Sequence, residues 1–198
     1  MLPCGHVYAV DNSAEMLSEL ANKIRGKNVN VSIVKSDLSG PLGIVGVCDA
    51  VMSVATFHWI PDHQKLFANL ASTMKPGAKL IAECGGFGNI ARVSSAFEAV
   101  TATKAGTTNV WNFATPDETT HNLAAAGFEE IEVSLIDDPV SFPSPEEHEA
   151  FLATVIFGAQ LEKIDAAFRL TTIQQISKTI GENIVDYVRL QLSARKRS

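Results

Sequence analysis

The sequence has 198 residues, of which 46% are hydrophobic and 19% charged, and its formal net charge is −6. These proportions exclude a disordered chain, and the acidic balance argues against a nucleic-acid binder, which would usually carry a basic patch. The three cysteines, Cys4, Cys48 and Cys84, are widely spaced and form no CxxC pair, so neither a disulfide framework nor a metal site is predicted. We expect a cytoplasmic protein without a membrane span, because no signal peptide is visible and no apolar run reaches the roughly 18 residues required.

Strand and helix signals alternate in the first half of the chain. Short apolar runs predict buried strands at residues 7–10, 29–34, 47–53 and 78–84. Asn12 or Ser13 can cap the first helix, and Glu15 is placed as in a capping box with Asn12. Helical spacing also predicts helices from residue 61 to 74 and from residue 89 to about Lys104.

The second half departs from this alternation. A helix is predicted before Gly127, a strand over residues 128–136, a helical stretch over 143–180 and a long alternating strand over 182–196. We therefore predict an α/β fold of one domain spanning residues 1–198, with a mostly parallel sheet and helices on both of its faces. Residues 143–180 form a predicted helical lid, and the last strand is predicted to be an antiparallel addition.

Polar residues follow the predicted strands, at the sheet edge where α/β folds bind their ligands. Asp11 follows the first strand and Asp37 the second, and each is either a ligand-binding carboxylate or a turn residue. Residues 53–56 follow the third strand. The glycine-rich residues 85–88 follow the fourth, where the backbone either passes close to a ligand or forms a loose turn.

His58 and Trp59 also follow the third strand. A histidine there is a candidate general base, and a tryptophan a candidate wall of a pocket, although both can simply be packing residues. His63, His121 and His148 are predicted to lie on helix surfaces.

Five stretches in order resemble the class I S-adenosylmethionine-dependent methyltransferases, and most of all the trans-aconitate methyltransferase-like branch. They are VYAVDNSAEML, SDLSG, CDAVMSVATFHWIPDH, KPGAKLIAECGGFGNI and VDYVRLQLSARK. The resemblance implies a Rossmann-like fold and S-adenosylmethionine as cofactor. It implies that Asp11 binds the ribose hydroxyls and that Asn12 and Met16 flank the adenosine. It further implies that Asp37 and Leu38 meet the adenine and that Ser53, Val54 and Trp59 lie near the methionine part.

The chain lacks the strand, Gly-x-Gly-x-Gly loop and helix with which this family begins. In the family that strand is central, between the strands that end here at Asp11 and Ser53. Its loss is expected to leave two buried strand edges without hydrogen-bond partners.

The main hypothesis is therefore methyl transfer to a small-molecule carboxylate, hydroxyl or amine by in-line displacement, in a chain shortened at its N-terminus. Such catalysis rests mostly on positioning, and His58 is the predicted base if the acceptor is a hydroxyl or amine. The alternative is a truncated or degenerate methyltransferase-like protein that acts as a non-catalytic binding partner or homodimer. A nicotinamide-dependent dehydrogenase is a third hypothesis, which the stretch FHWIPDH and the closing strand fit poorly.

Overall fold

The computed structural model describes residues 5–103 and 111–198, so that Cys4 and Lys104 lie outside it. The chain begins with a small parallel sheet. Strand β1 (Val7–Asp11) pairs along its whole length with β2 (Val31–Lys35), and helix α1 (Ala14–Ile24) connects them. Ser13 caps α1 by accepting the Met16 N–H at 3.2 Å. Asn12 is thus not the cap, and its predicted capping box does not form.

A second, four-stranded sheet has the strand order β3-β4-β8-β5. Strands β3 (Cys48–Val54) and β4 (Met74–Gly85) are parallel and are connected by a short 3-10 helix (Phe57–Trp59) and helix α2 (His63–Thr73). Helix α4 (Pro116–Ala125) leads into β5 (Phe128–Asp137). The last strand, β8 (Val188–Lys196), lies antiparallel between β4 and β5, which confirms the predicted antiparallel addition.

A separate cluster of helices has its own apolar core. It contains α3 (Ala91–Thr101), α5 (Pro145–Phe151), a π-helical turn (Leu152–Ile156), α6 (Gly158–Leu161) and α7 (Ala166–Ile180). The two-residue strands β6 (Val140–Ser141) and β7 (Ile184–Val185) pair at its border. Leu152, Ile156 and Phe157 are buried in this core, whereas Phe168 is 62% exposed. That residues 143–180 act as a lid remains a prediction.

Helices cover one face of the larger sheet. Apolar residues of α2 and α4, such as Phe67 and Leu123, pack on Leu80 and Leu192 in the main core. On the opposite face, Met52 and the neighbouring Ile81 are 82% and 50% exposed. The prediction of helices on both faces is therefore wrong over this part of the sheet.

The two sheets do not join. Strand β1 belongs to one and β3 to the other, and a cavity of about 800 Å³ lies between them. This break lies where the family resemblance puts the missing central strand. Residues Val10, Leu38 and Leu42 pack against the main core and so tie the small sheet to the rest of the molecule.

Two histidines predicted to be on the surface are buried. His63 is 4% exposed, and one of its ring nitrogens bonds the Phe57 carbonyl at 3.0 Å. His148 is fully buried, with its Nδ1 bonded to Ser177 Oγ at 3.1 Å and no partner for its Nε2 among the described residues. Burial lowers the pKa of both.

Candidate functional site

Asp11 is the last residue of β1, and Asp37 lies two residues beyond the end of β2, its neighbouring strand. Asp11 Oδ1 accepts the Ser13 N–H at 2.8 Å, and Asp37 Oδ1 accepts the Ser39 N–H at 2.8 Å. The Ser36 N–H donates to the Asp11 carbonyl at 3.1 Å, which holds the two strand ends side by side. Both aspartates are exposed, and no described residue bonds the Oδ2 of either one. Each carboxylate thus has one oxygen fixed by its own turn and a second available to a ligand's O–H or N–H.

Asn12, Met16 and Leu38, which the resemblance places beside the adenosine, lie close to these carboxylates in sequence. Asn12 is exposed next to Asp11, and Met16, in the first turn of α1, is 57% exposed. Leu38 packs against the main core, and its carbonyl accepts a bond from Asn69 Nδ2 at 2.9 Å. The strand ends are therefore anchored to α2, while the surface beside Asp11 includes a long apolar side chain.

Ser53 and Val54 end strand β3, where the backbone turns sharply. Val54 is 64% exposed, and its carbonyl accepts the Thr56 hydroxyl at 3.1 Å. Ala55 follows with a φ of +56° and donates its N–H to the Glu83 carbonyl at 2.7 Å. A left-handed non-glycine residue costs of order 1 kcal/mol and is typical of functional sites. The sequence carried no signal for this strained residue.

His58 is held in a defined protonation state. Its Nδ1 accepts the Gly85 backbone N–H at 3.1 Å, so the neutral ring carries its proton on Nε2. Burial, with the nearby charges of Arg189 and His63, lowers the pKa of His58 to about 4. At neutral pH the ring is uncharged and presents an N–H donor at Nε2. The base role predicted for it would require the bond to Gly85 to break.

An aromatic cluster surrounds His58. The ring centroid of Trp59 lies 5.1 Å from that of His58 and 6.2 Å from that of Trp111. Phe113 stacks on Trp111 at 5.7 Å and lies 5.9 Å from His58. The Asn112 N–H holds this later segment in place by donating to the His58 carbonyl at 2.7 Å. Sequence reasoning missed Trp111 and Phe113, because about 50 residues separate them from His58.

The glycines after β4 make room for protein side chains. A Cβ on Gly85 would lie 2.8 Å from Phe113 and from Asn89, and one on Gly86 would lie 2.4 Å from Leu135. Both glycines are buried. Packing of protein side chains thus accounts for glycine at these two positions.

Residues 5–103 and 111–198 contain neither a candidate metal site nor a membrane-spanning helix. No group of three or more histidine, cysteine or acidic residues is arranged to hold a metal ion. None of the helices in these ranges combines the length and the apolar character that crossing a membrane requires. Cys84 is buried, as predicted, which raises the pKa of its thiol to about 11, whereas Cys48 is half-buried.

Methyltransferases are among the known proteins that this chain resembles. Residues 1–82 match the model of a methyltransferase domain. An uncharacterised methyltransferase of Schizosaccharomyces pombe is 27% identical in an alignment of 146 residues that covers 69% of this chain and 55% of that protein. A trans-aconitate 2-methyltransferase of Rhodopseudomonas palustris is 31% identical over 78 residues, which are 39% of this chain and 28% of the enzyme. The chain is distantly similar to class I S-adenosylmethionine-dependent methyltransferases. It spans between about a quarter and a half of the length of these relatives.

Solved structures show the same fold. Phosphoethanolamine N-methyltransferase 2 of Haemonchus contortus, in complex with phosphomonomethylethanolamine and S-adenosylhomocysteine, superposes with a TM-score of 0.59 at 19% identity. The match covers 98% of this chain and 44% of that one. The YcgJ protein of Bacillus subtilis gives a TM-score of 0.62 at 12% identity, over 98% and 83% of the two chains. The predicted Rossmann-like fold is thus confirmed.

Proposed function

We propose that this protein binds S-adenosylmethionine through the ends of β1 and β2 and transfers its methyl group to a small-molecule acceptor. The observation that carries the proposal is the pair of exposed carboxylates, Asp11 and Asp37. The Oδ2 of each has no partner among the described residues, and the two strand ends are bonded side by side. Similarity to methyltransferases supplies the cofactor's identity.

The residues present fit the adenosine half of that cofactor. A ribose diol donates two O–H groups and an adenine amino group donates N–H, and carboxylate oxygens accept both. Asp11 would take the ribose and Asp37, with the backbone of Leu38, the adenine. Asn12 and the exposed Met16 would flank the base. The cofactor, when bound, supplies a methyl group on a positively charged sulfur.

The end of β3 and the aromatic cluster are our candidates for the acceptor side. Ser53, Val54 and Trp59 would border the reacting region, and residues 143–180 would shape the acceptor pocket. Neutral His58 would donate its Nε2–H to an oxygen of the acceptor and so orient it. This role suits a carboxylate acceptor, which needs no base. Positioning alone can provide much of the rate enhancement for a displacement of this kind.

Calorimetric titration of the 198-residue chain with S-adenosylhomocysteine tests the proposal. Asp11→Asn keeps an oxygen for the Ser13 N–H and so preserves the turn, but it replaces the second acceptor with an amide that donates. Loss of hydrogen bonds to a charged group costs about 1.5–3 kcal/mol, so binding should weaken roughly 10- to 100-fold. Asp37→Asn should weaken binding in the same direction.

Asp49→Asn is the matched control. Asp49 lies in β3 with an exposed side chain that pairs with Lys75 at 2.8 Å. Its substitution removes the same charge from the protein and should leave affinity unchanged. Failure of the unaltered chain to bind S-adenosylhomocysteine, or equal affinities for the Asp11 and Asp49 variants, would contradict the proposal.

A further inference from the structure

The cluster of helices contains a cavity of its own, with a volume of about 670 Å³. Side chains of α5, the π-helical turn, α6 and α7 line it, and we call it the helical cavity. Its lining shares no residue with the strand ends at Asp11 and Asp37 or with the aromatic cluster at His58. Cavities of roughly 300–1,000 Å³ are typical of sites for small molecules. The helical cavity is therefore a candidate binding site separate from the one described above.

Apolar side chains form the inner part of the helical cavity. Leu161 and Ile173 line it and are 5% and 2% exposed, because they also belong to the core of the helical cluster. Leu170 lines the cavity too, but it is 66% exposed. A ligand with an apolar body would cover Leu170 and so remove apolar surface from water.

The basic side chain in the cavity lining is already engaged by the backbone. Arg169 Nε donates to the Ile164 carbonyl at 2.9 Å, and its Nη2 donates to the Glu162 carbonyl at 3.2 Å. Arg169 forms no ion pair with any residue in the described part of the chain. Its bonds thus hold the guanidinium at the segment between α6 and α7 and leave the carboxylates of the cavity without a basic partner.

Three carboxylates line the helical cavity, those of Glu146, Glu149 and Glu162. Glu146 and Glu149 lie one turn apart on α5 and so are neighbours on the same helix face. Glu149 is half-buried, and among residues 5–103 and 111–198 none forms a hydrogen bond or an ion pair with its side chain. Three carboxylates against one guanidinium give the lining a net negative charge. A partly desolvated carboxylate without a counter-ion favours a ligand that carries a positive charge.

We propose that the helical cavity binds an organic ammonium ion with an apolar body. The ammonium group lies at Glu149, and the apolar body covers Leu161, Leu170 and Ile173. An ammonium group donates three N–H bonds, and ionised carboxylates are strong acceptors for them. An anionic ligand would instead meet the net negative charge of the lining, and a neutral apolar one would leave Glu149 without a counter-ion. This inference does not rest on cofactor binding.

Calorimetric titration of the 198-residue chain with octylammonium chloride tests this inference, and sodium octanoate is the matched anion of similar chain length. We expect octylammonium to bind about 10-fold more tightly than octanoate, because only the cation can donate charged hydrogen bonds to Glu149. In methyl NMR spectra recorded during the titration, the signals of Leu161 and Ile173 should shift. Those of Leu123, in the main core, should not.

Glu149→Gln keeps the size of the side chain but removes its charge, and it should weaken octylammonium binding about 10-fold. Glu147→Gln is the matched control, since Glu147 is an exposed residue of the same helix that does not line the cavity. Its affinity should equal that of the unaltered chain. Absence of octylammonium binding, or equal affinities for octylammonium and octanoate, would overturn the proposal. So would equal affinities of the two variants, or shifts at Leu123 in place of those at Leu161 and Ile173.

Discussion

Acidification should destabilise this protein, and His58 should account for a measurable share of the loss. Its pKa in the folded state is about 4, against 6.5 for an ordinary histidine, because burial disfavours the charged ring. The unfolded chain therefore takes up a proton before the folded one does. The stability that neutral His58 contributes is fully present above pH 6.5 and is lost as the pH falls toward 4. The gap between these pKa values corresponds to about 3 kcal/mol of unfolding free energy, of which about 2.5 kcal/mol is lost by pH 4.5.

Urea unfolding at pH 7, 6, 5 and 4.5, followed by circular dichroism, measures this loss. His58→Gln keeps an oxygen that can accept the Gly85 N–H but cannot be protonated in this range. Its free energy of unfolding should fall by about 2.5 kcal/mol less than that of the unaltered chain between pH 7 and pH 4.5. The unfolding free energy of the His58→Gln variant should still depend on pH, because burial also lowers the pKa of His63 and that of His148.

His121→Gln is the control, since His121 is exposed on α4. This variant should follow the pH dependence of the unaltered chain. If the His58 and His121 variants lose stability in parallel, His58 is not held neutral by its surroundings. The protonation state inferred from its bond to Gly85 would then be wrong.

Three substitutions test the packing around the site and the two cores by urea unfolding. Gly86→Ala should cost about 1–3 kcal/mol, because the new Cβ would lie 2.8 Å from Leu190 Cβ, and an unchanged midpoint would contradict this close approach. Ser177→Ala should cost about 1–3 kcal/mol, because it removes the partner of the buried His148 Nδ1; a cost near zero would mean that this bond adds nothing. Leu123→Ala should cost about 2–5 kcal/mol, because its side chain is fully buried between α4 and the larger sheet. A loss below 1 kcal/mol there would show that α4 is only loosely packed.

Local sequence patterns predicted the elements well, because periodicity and caps act over a few residues. Helical spacing predicted a helix over residues 61–74, and the apolar residues Leu66, Phe67 and Leu70 of the observed α2 are buried in the main core. The same patterns could not tell which other residues are buried. His63 and His148 lie in helices near their first turns, where polar residues are common, and long-range packing encloses them.

Contacts between distant segments were also out of reach of the sequence. Gly85 and Gly86 suggested room for a ligand, but the space is filled by side chains such as Phe113 and Leu190, which lie far along the chain. For the same reason, the sequence predicted only one aromatic neighbour of His58. Trp59 is its neighbour in sequence, whereas Trp111 reaches it through the backbone bond between Asn112 and His58.

The two interpretations of Asp11 and Asp37, as turn residues or as ligand-binding residues, do not exclude each other. Oδ1 of each carboxylate is taken by the backbone N–H two residues ahead, and this bond fixes the orientation of the side chain. The same bond orients Oδ2, which has no partner of its own. Folding has therefore already ordered this acceptor, and a ligand that binds it loses little further side-chain entropy. The turn then contributes to affinity, and removing it should weaken binding even while the carboxylate remains.

Two substitutions at Ser13 test this contribution by calorimetry with S-adenosylhomocysteine. Ser13→Pro deletes the N–H that holds Asp11, and we expect it to weaken binding. Ser13→Ala keeps that N–H and should bind with unchanged affinity. Equal affinities for these two variants would mean that the turn does not orient the carboxylate for binding.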